Sequence, residues 1–345
     1  MDSKSSNMFK IPNTTKTSRL GTIATLFRKQ SDIFLSVSLN IPTFEKTIKN
    51  QETMEKISNS ILTVEISEHG AELQSIKKNG KEYLWQGDAK FWGRRSPVLF
   101  PNVGRVWNDK YTHMGNTYEI GQHGFARDMD FQVTYKDDEG IVYWLESTPD
   151  TLGKFPFPFR LMIGYLLDGN KITVKWRVEN MGAMDMYFQI GAHPAFYFPD
   201  FDPSTDERCF FAFDNNKDLK YISPVEKGCV SPELHSLELN EEGLMPVNVH
   251  TFDCDTYIFE NEQLKKVSLL TKDKKPYITL KFDAPLVALW APTKPKPDCP
   301  FVCIEPWYGR CDKVGYDGDL QDREWIQKLG SREAFDVSYD IIIEE

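Results

Sequence analysis

The sequence predicts an all-β fold in one domain, from about residue 57 to residue 345. Apolar residues recur mostly at every second position from Ile61 onward, the spacing of half-buried strands, whereas helical spacing is weak everywhere. The 20 prolines and 21 glycines lie between these segments as turn residues and never form a low-complexity linker. Together these observations favour a single large core built from strands.

Six segments show the alternation most clearly and are predicted as strands: 62–66, 131–135, 141–145, 172–178, 278–282 and 335–343. The second and third flank the turn-forming sequence Asp-Asp-Glu-Gly at 137–140, which predicts a β-hairpin. The best helical candidate in this part of the chain is a turn or two within 322–329.

The first 56 residues differ from the rest of the chain. They are rich in Ser and Thr, and up to residue 53 they carry eight Lys and Arg against four acids. Organelle transit peptides have this character, but so do disordered leaders. A misassigned gene start, with Met54 as the true initiator, is a third reading. We expect a leader rather than part of the core.

The charge balance narrows the partners that the protein can bind. Lys and Arg number 41 against 51 Asp and Glu, a net charge of −10, which disfavours nucleic acid and acidic membrane surfaces. A neutral small molecule fits this balance better. No apolar run reaches the roughly 20 residues of a membrane-spanning helix, and we expect a cytoplasmic location, with organelle import through the leader as the alternative.

Metal and nucleotide motifs are missing from the sequence. The six cysteines show no CxxC spacing, which argues against structural zinc and predicts reduced, mostly buried thiols. No HxH or HExxH pair occurs, and neither does a GxGxxG or Walker loop. The absence of a GxSxG elbow also removes the best-known hydrolase signature. We therefore expect neither a metal nor a cofactor.

Four polar segments interrupt the strand pattern in a way that core packing does not explain: FPNVGR at 100–105, QHGFAR at 122–127, GAHPAF at 191–196 and IEPW at 304–307. In two of them an ionisable residue, His193 or Glu305, directly precedes a proline, whose ring restricts the preceding residue to an extended backbone. A side chain held in few directions suits proton transfer, which needs heavy atoms within about 3 Å. His193 and Glu305 are the candidate acid and base.

Taken alone, a His-Pro or Glu-Pro pair is more often an ordinary strand end. Glu305 stands out because its neighbours from Phe301 to Trp307 are almost wholly apolar. A carboxyl buried there must be hydrogen-bonded or have a raised pKa. A raised pKa brings it toward the range of an effective general base.

Three further side chains are candidates beside this pair. His123, a third candidate catalytic residue, precedes a glycine that permits close approach to a ligand, although a structural histidine is the alternative. The planar guanidinium of Arg105 is suited to donate hydrogen bonds to sugar hydroxyls, although an isolated arginine more often forms a surface ion pair. Asp255 is a candidate acceptor of hydrogen bonds from sugar hydroxyls or a turn cap, and Asp253 is the alternative to it.

Five aromatic residues near these motifs could form a surface for a sugar ring, but such residues more often belong to the core: Trp92, Phe125, Phe196, Trp290 and Trp307.

The order of these motifs resembles the aldose 1-epimerase family, and most of all the branch named after the LacX protein of bacterial lactose operons. The shared segments are RSPVLFP with GR (95–105), HGFAR (123–127), FPFPF (155–159), HPAF (193–196), DTYIF (255–259) and EPW (305–307). The resemblance covers roughly residues 58 to 345. Each motif alone is weak, but six in this order are specific.

The resemblance implies a large antiparallel β-sandwich of the galactose mutarotase type, with no cofactor and an open cleft on one sheet. It also implies the chemistry. Glu305 as carboxylate takes the proton of the anomeric hydroxyl while His193 as imidazolium protonates the ring oxygen, so the sugar ring opens and recloses on the other face. His123 and Arg105 orient the sugar, and Asp255 accepts its hydroxyl protons.

Several alternatives stay open at this point. The chain has Ala-His-Pro-Ala-Phe where better-known galactose mutarotases have Asn-His-x-Tyr-Phe-Asn, so the preferred hexose, glucose or galactose, is open. A hexose 6-phosphate would need more cationic groups, for which Arg94, Arg95 and Arg127 are candidates. A carbohydrate-binding module without turnover is a different class of function. Glycoside hydrolysis needs a carboxylate pair, and only Glu305 is a clear candidate. A monomer or homodimer is expected.

Overall fold

A computed structural model describes residues 53–344 except 293 and 295. Most of the leader predicted for residues 1–56 lies outside the described residues. The described part is built almost wholly of strands, so the prediction of an all-β fold is confirmed. None of the helices in this part of the chain is long and apolar enough to cross a bilayer.

The largest sheet has nine antiparallel strands. In spatial order they are β20 (Met245–Asn248), β15 (Glu207–Phe213), β22 (Lys266–Leu270), β23 (Pro276–Phe282), β27 (Ala334–Ile343), β11 (Lys171–Asn180), β10 (Phe159–Asp168), β9 (Gly140–Glu146) and β8 (Gln132–Lys136). Five of these strands coincide with predicted segments: β8 and β9, which form the predicted hairpin, and β11, β23 and β27. On β11 the apolar residues are buried and the charged ones between them are partly exposed, as the alternation predicts.

A six-stranded sheet carries the candidate site. Its strands are β21 (Thr256–Phe259), β24 (Leu286–Trp290), β25 (Phe301–Tyr308), β13 (Ile190–Ala192) and β5 (Val98–Leu99), in that order, with β14 (Ala195–Tyr197) also paired to β25. A four-stranded sheet follows chain order: β1 (Met54–Ser58), β2 (Leu62–Ser67), β3 (Leu73–Lys78) and β4 (Lys81–Glu82).

The remaining elements are short. Four two-stranded ladders pair β6 (Lys110–His113) with β7 (Asn116–Glu119), β12 (Met186–Phe188) with β26 (Gln327–Leu329), β16 (Lys220–Tyr221) with β19 (His235–Ser236), and β17 (Pro224–Glu226) with β18 (Cys229–Val230). Helical turns occur at α1 (Pro149–Leu152) and as 3-10 turns at Trp107–Asp109, Ala126–Asp128 and Leu320–Asp322. The helix expected within 322–329 is wrong, because the 3-10 turn ends at Asp322 and β26 follows.

One hydrophobic core lies between the sheets. The nine-stranded sheet contributes Val174 and Ile341, the six-stranded sheet Val302 and Ile304, and the four-stranded sheet Val64. Burial of apolar surface in this cluster is the main stabilising term of the fold. The opposite face of the six-stranded sheet carries two smaller clusters, one with Trp307 and one with Cys303.

Candidate active site

Glu305 lies on the face of the six-stranded sheet that points away from the main core. Alternate side chains of β25 point to opposite faces: Val302 and Ile304 join the main core, whereas Cys303, Glu305 and Trp307 point the other way. Glu305 is nevertheless only 1% exposed, because loops build a cleft over this face. The cleft has a volume of about 390 Å³, a size typical of small-ligand sites.

The pairing register of the sheet brings His193 opposite Glu305. Both β13 and β14 pair with β25. His193 and Pro194 lie between these two strands and form a break in the pairing. The flanking pairs are Gly191 with Trp307 and Ala195 with Cys303. The same register, continued through the break, sets His193 across from Glu305. Nε2 of His193 lies 3.4 Å from Oε2 of Glu305.

Aromatic packing orients the imidazole of His193. The indole of Trp92 stacks on it with ring centroids 4.7 Å apart and 27° between the planes, and Trp290 meets it edge-on at 5.4 Å. Neither Nδ1 of His193 nor Oε2 of Glu305 has a hydrogen-bond partner among the described residues. Two buried polar atoms are therefore left for a ligand to satisfy.

Burial shifts both titrations of this pair toward the uncharged forms. It raises the pKa of Glu305 well above its usual range, more than the neighbouring indole of Trp307 lowers it. For His193, burial and the nearby positive charge of Arg127 lower the pKa to about 3. A neutral imidazole beside a protonated carboxyl holds the same number of protons as an imidazolium beside a carboxylate. The pair can therefore pass between these two states without exchange with solvent.

His123 lies at the edge of the same cleft as a neutral hydrogen-bond donor. Its ring is 5.5 Å from that of His193, and its Nδ1 accepts the backbone N–H of Gly104 at 3.1 Å. The proton of the neutral ring is then on Nε2, which lies 3.3 Å from the side-chain amide of Gln122. Burial holds the pKa of His123 well below its usual value. Gly124 fixes this turn: its φ is +69°, and an added Cβ would lie 2.2 Å from the carbonyl oxygen of Phe100.

The structure separates the two rival aspartates. Asp255 lines the cleft, directly before β21, and accepts a hydrogen bond from the Thr256 hydroxyl at 3.0 Å. Its charge contributes to the raised pKa of Glu305. Asp253 is not among the residues that line the cleft and pairs with the exposed His250 at 3.1 Å.

Arg105 does not line this cleft. Its guanidinium pairs with Asp109 at 3.0 Å and borders a separate pocket of about 720 Å³. Among the described residues, the arginines that line the cleft are Arg94 and Arg127. Arg105 follows a glycine in a proline-led loop, the feature that made it a candidate, but its guanidinium pairs with an acid four residues later, Asp109.

Arg94 and Arg127 form the positive end of the cleft. Arg94 pairs with Asp128 at 2.7 Å, and Arg127 donates from Nη2 to the Gln122 carbonyl at 2.7 Å. Burial and the charge of Arg94 lower the pKa of Arg127 to about 10. Its Nε has no hydrogen-bond partner within the described residues, but it lies 3.8 Å from Oδ2 of Asp128, the acid that also pairs with Arg94. An acceptor on a ligand would satisfy this donor.

Comparisons of both sequence and structure find relatives of this chain among known proteins. A sequence profile described as aldose 1-epimerase matches residues 55–314. The plasmid-encoded protein LacX of Lactococcus lactis is 28% identical over 306 residues, which cover 84% of this chain and 98% of LacX. Similar solved structures include a galactose mutarotase related enzyme from Lactobacillus acidophilus, with 33% identity, 85% and 98% coverage and a TM-score of 0.78. A galactose mutarotase-like protein from Lactobacillus casei has 30% identity, 84% and 100% coverage and a TM-score of 0.79.

Proposed function

The chain belongs to the aldose 1-epimerase family of isomerases, and we propose that it interconverts the α and β anomers of a free hexose such as glucose or galactose. One observation carries the proposal. An imidazole and a carboxyl lie 3.4 Å apart on the floor of a sugar-sized cleft, both buried, and each has a polar atom with no hydrogen-bond partner among the residues that the structure describes. A hemiacetal carbon bears two oxygens, and its opening requires one to lose a proton while the other gains one.

Each group transfers one proton: Glu305 accepts one and His193 donates one. Glu305, as carboxylate, takes the proton of the O1 hydroxyl, and His193, as imidazolium, gives its proton to the ring oxygen O5. The C1–O5 bond then breaks to give an aldehyde and a C5 hydroxyl, with no free oxyanion or oxocarbenium. Rotation about C1–C2 presents the other face of the aldehyde. The protonated Glu305 and neutral His193 close the ring by the reverse transfers.

The proton count of the pair matches this cycle. The ion pair starts ring opening and the neutral pair starts ring closure, and the two differ only in where one proton lies. Burial favours the neutral pair, whereas the attraction between opposite charges 3.4 Å apart favours the ion pair. Because burial shifts both pKa values toward the uncharged forms, the neutral pair is the resting state, and ring opening begins after one proton has moved from Glu305 to His193.

The side chains around the pair would orient the sugar. The Nε2–H of His123, beside the Gln122 side-chain amide 3.3 Å away, would share one sugar oxygen with that amide, and the carboxylate of Asp255 suits hydroxyl donors. Arg105 is paired with Asp109, so we assign the positive contact with the sugar to Arg127 instead. The indole of Trp92 offers an apolar surface to the C–H face of the ring.

The test is anomeric exchange, measured by NMR with glucose and with galactose. Wild-type protein should accelerate exchange above the buffer rate, and Glu305→Gln should not. Unchanged exchange in that variant would remove the catalytic assignment. Absence of exchange with every aldose, together with measurable sugar binding, would favour the carbohydrate-binding module.

A second candidate substrate is a hexose 6-phosphate. Arg94 and Arg127 favour it, because two guanidinium groups line one cleft and suit a dianion, although Asp128 pairs with both of them. Arg127→Met should lower kcat/KM for glucose 6-phosphate much more than for glucose. An equal loss for both sugars would leave the neutral hexose as the substrate.

A further inference from the structure

A third side chain of a type that binds metal ions lies beside the candidate acid and base. The thiol of Cys303, one ring nitrogen of His193 and one carboxylate oxygen of Glu305 all lie within 4.8 Å of one another, and all three residues are buried. Within the part of the chain that the structure describes, no other three His, Cys, Asp or Glu side chains converge in this way. The proposed proton transfer makes no use of the thiol.

The convergence is a property of the sheet. Cys303 and Glu305 are two residues apart on β25 and so share a face, and Ala195, which pairs with Cys303, is two residues beyond His193. The sequence separation between His193 and Cys303 is large, so no spacing motif reveals the cluster. The ordinary reading of Cys303 is that of a small buried side chain.

The donor set is the one that zinc prefers. Zn²⁺ binds imidazole nitrogen, thiolate sulfur and carboxylate oxygen in tetrahedral sites. Bond lengths near 2.0–2.3 Å put neighbouring ligand atoms about 3.5 Å apart, so atoms that now lie within 4.8 Å of one another must close by about 1.3 Å at most. A thiolate and a carboxylate would balance the charge of the ion.

Two further features bear on such a site. Nδ1 of His193 and Oε2 of Glu305 have no hydrogen-bond partner among the described residues, and Glu305 is 1% exposed. Oε2 of Glu305 therefore has capacity for a ligand, and the nitrogen of His193 that faces it is Nε2, 3.4 Å away. Three protein ligands also leave a fourth position for water or a sugar hydroxyl, the arrangement of open zinc sites. The nearby Arg94 and Arg127 oppose a cation and limit its affinity.

We propose that a thiophilic divalent cation of the zinc type binds His193, Cys303 and Glu305 and competes with the sugar for the same cleft. Binding would release the thiol proton to solvent and would occupy both groups that move protons. Zinc is thus an inhibitor of the isomerase, and this consequence rests on the function proposed above. The binding itself does not.

The test uses full-length protein freed of metal with a chelator, and two probes. ZnCl2 is titrated into the anomeric exchange assay, with each variant compared with its own chelator-treated rate. CoCl2 is titrated separately while the thiolate-to-cobalt charge-transfer band is recorded. Cys303→Ala removes the ligand, and Cys209→Ala is the matched control, since Cys209 is equally buried but lies on β15 in the other sheet. Cys303→Ser replaces Cys303→Ala if circular dichroism shows that the alanine variant does not fold.

Wild type and Cys209→Ala should show the cobalt band at one equivalent and a zinc inhibition that added sugar relieves. The Cys303 variant should lack the band and need more than about tenfold more zinc for half inhibition, since loss of even an outer-shell partner costs a metal site that much. Equal zinc sensitivity with and without Cys303, or no thiolate band in wild type, would overturn the inference. A band without any mutarotation would refute the proposed function but uphold the site, and mutarotation without band or inhibition would do the opposite.

Discussion

Replacing His193 and Glu305 with glutamine, singly and together, tests whether the two groups act in one step. Glutamine keeps most of the side-chain volume and removes the ability to exchange a proton. General acid or base catalysis typically contributes about 100-fold to 10,000-fold, or about 3 to 5 kcal/mol of barrier. Each single variant should therefore lose that much in the rate of anomeric exchange.

The double variant distinguishes one concerted step from two independent contributions. If the two groups acted independently, the losses would multiply to roughly 10⁴-fold or more. Because Nε2 and Oε2 are 3.4 Å apart and serve the same hemiacetal, removal of either ends the concerted transfer. The double variant should then lie within about tenfold of the slower single variant, as for other catalytic groups that act as a unit.

The assay is NMR exchange of glucose and galactose in the presence of a chelator. His113→Gln is the control, because His113 is as buried as His193 but is not among the residues lining the cleft, and it should retain wild-type exchange. Fully multiplicative losses would refute the single-step argument. Single variants with wild-type rates would refute the assignment of the pair altogether.

Three further predictions follow from the same region. With metal removed, kcat/KM should show no inflection near pH 6.5 and should fall in acid only near pH 3, because the pKa of His193 is lowered to about 3; an acid limb at pH 6.5 would contradict this. The folded-state pKa of Glu305 is raised, so above the ordinary carboxyl pKa the unfolded chain loses a proton that the folded chain keeps, and stability declines with rising pH. Glu305→Gln should therefore raise the melting temperature more at pH 7 than at pH 4, and the reverse order in thermal scans would refute the burial argument. Gly124→Ala should destabilise the fold by about 1 to 3 kcal/mol in urea and weaken sugar binding through His123; a neutral effect on both would contradict the close approach to Phe100.

The strands were predictable because each long one carries its own period of two. The segments within β11 and β27 alternate over many residues, and half-burial on a sheet is the cause of that alternation. Two-residue strands such as β16 and β19 have no room for a period, and tertiary hydrogen bonds define them. The turn at 320–322 followed by β26 was missed for the same reason.

The site was predictable in part. The proline after His193 and the proline after Glu305 mark backbone that is held extended, a property that sequence displays directly. Both arginines lie near an acid, Arg105 beside Asp109 and Arg127 beside Asp128, but only Arg127 of the two lines the cleft. The sequence does not show which of them faces it. The clustering of Cys303 with the pair is likewise a product of the sheet register.

The backbone ladder of β25 sets the distance between the two ionisable groups, whereas Arg94 and Arg127 belong to connecting segments outside any strand. Loops tolerate substitution and insertion better than paired strands do. Exchange of these segments between relatives should consequently change which sugar is accepted and leave the ring-opening step intact. In the proposed mechanism, selectivity and chemistry belong to separate layers of this molecule, so each should be alterable without rebuilding the other.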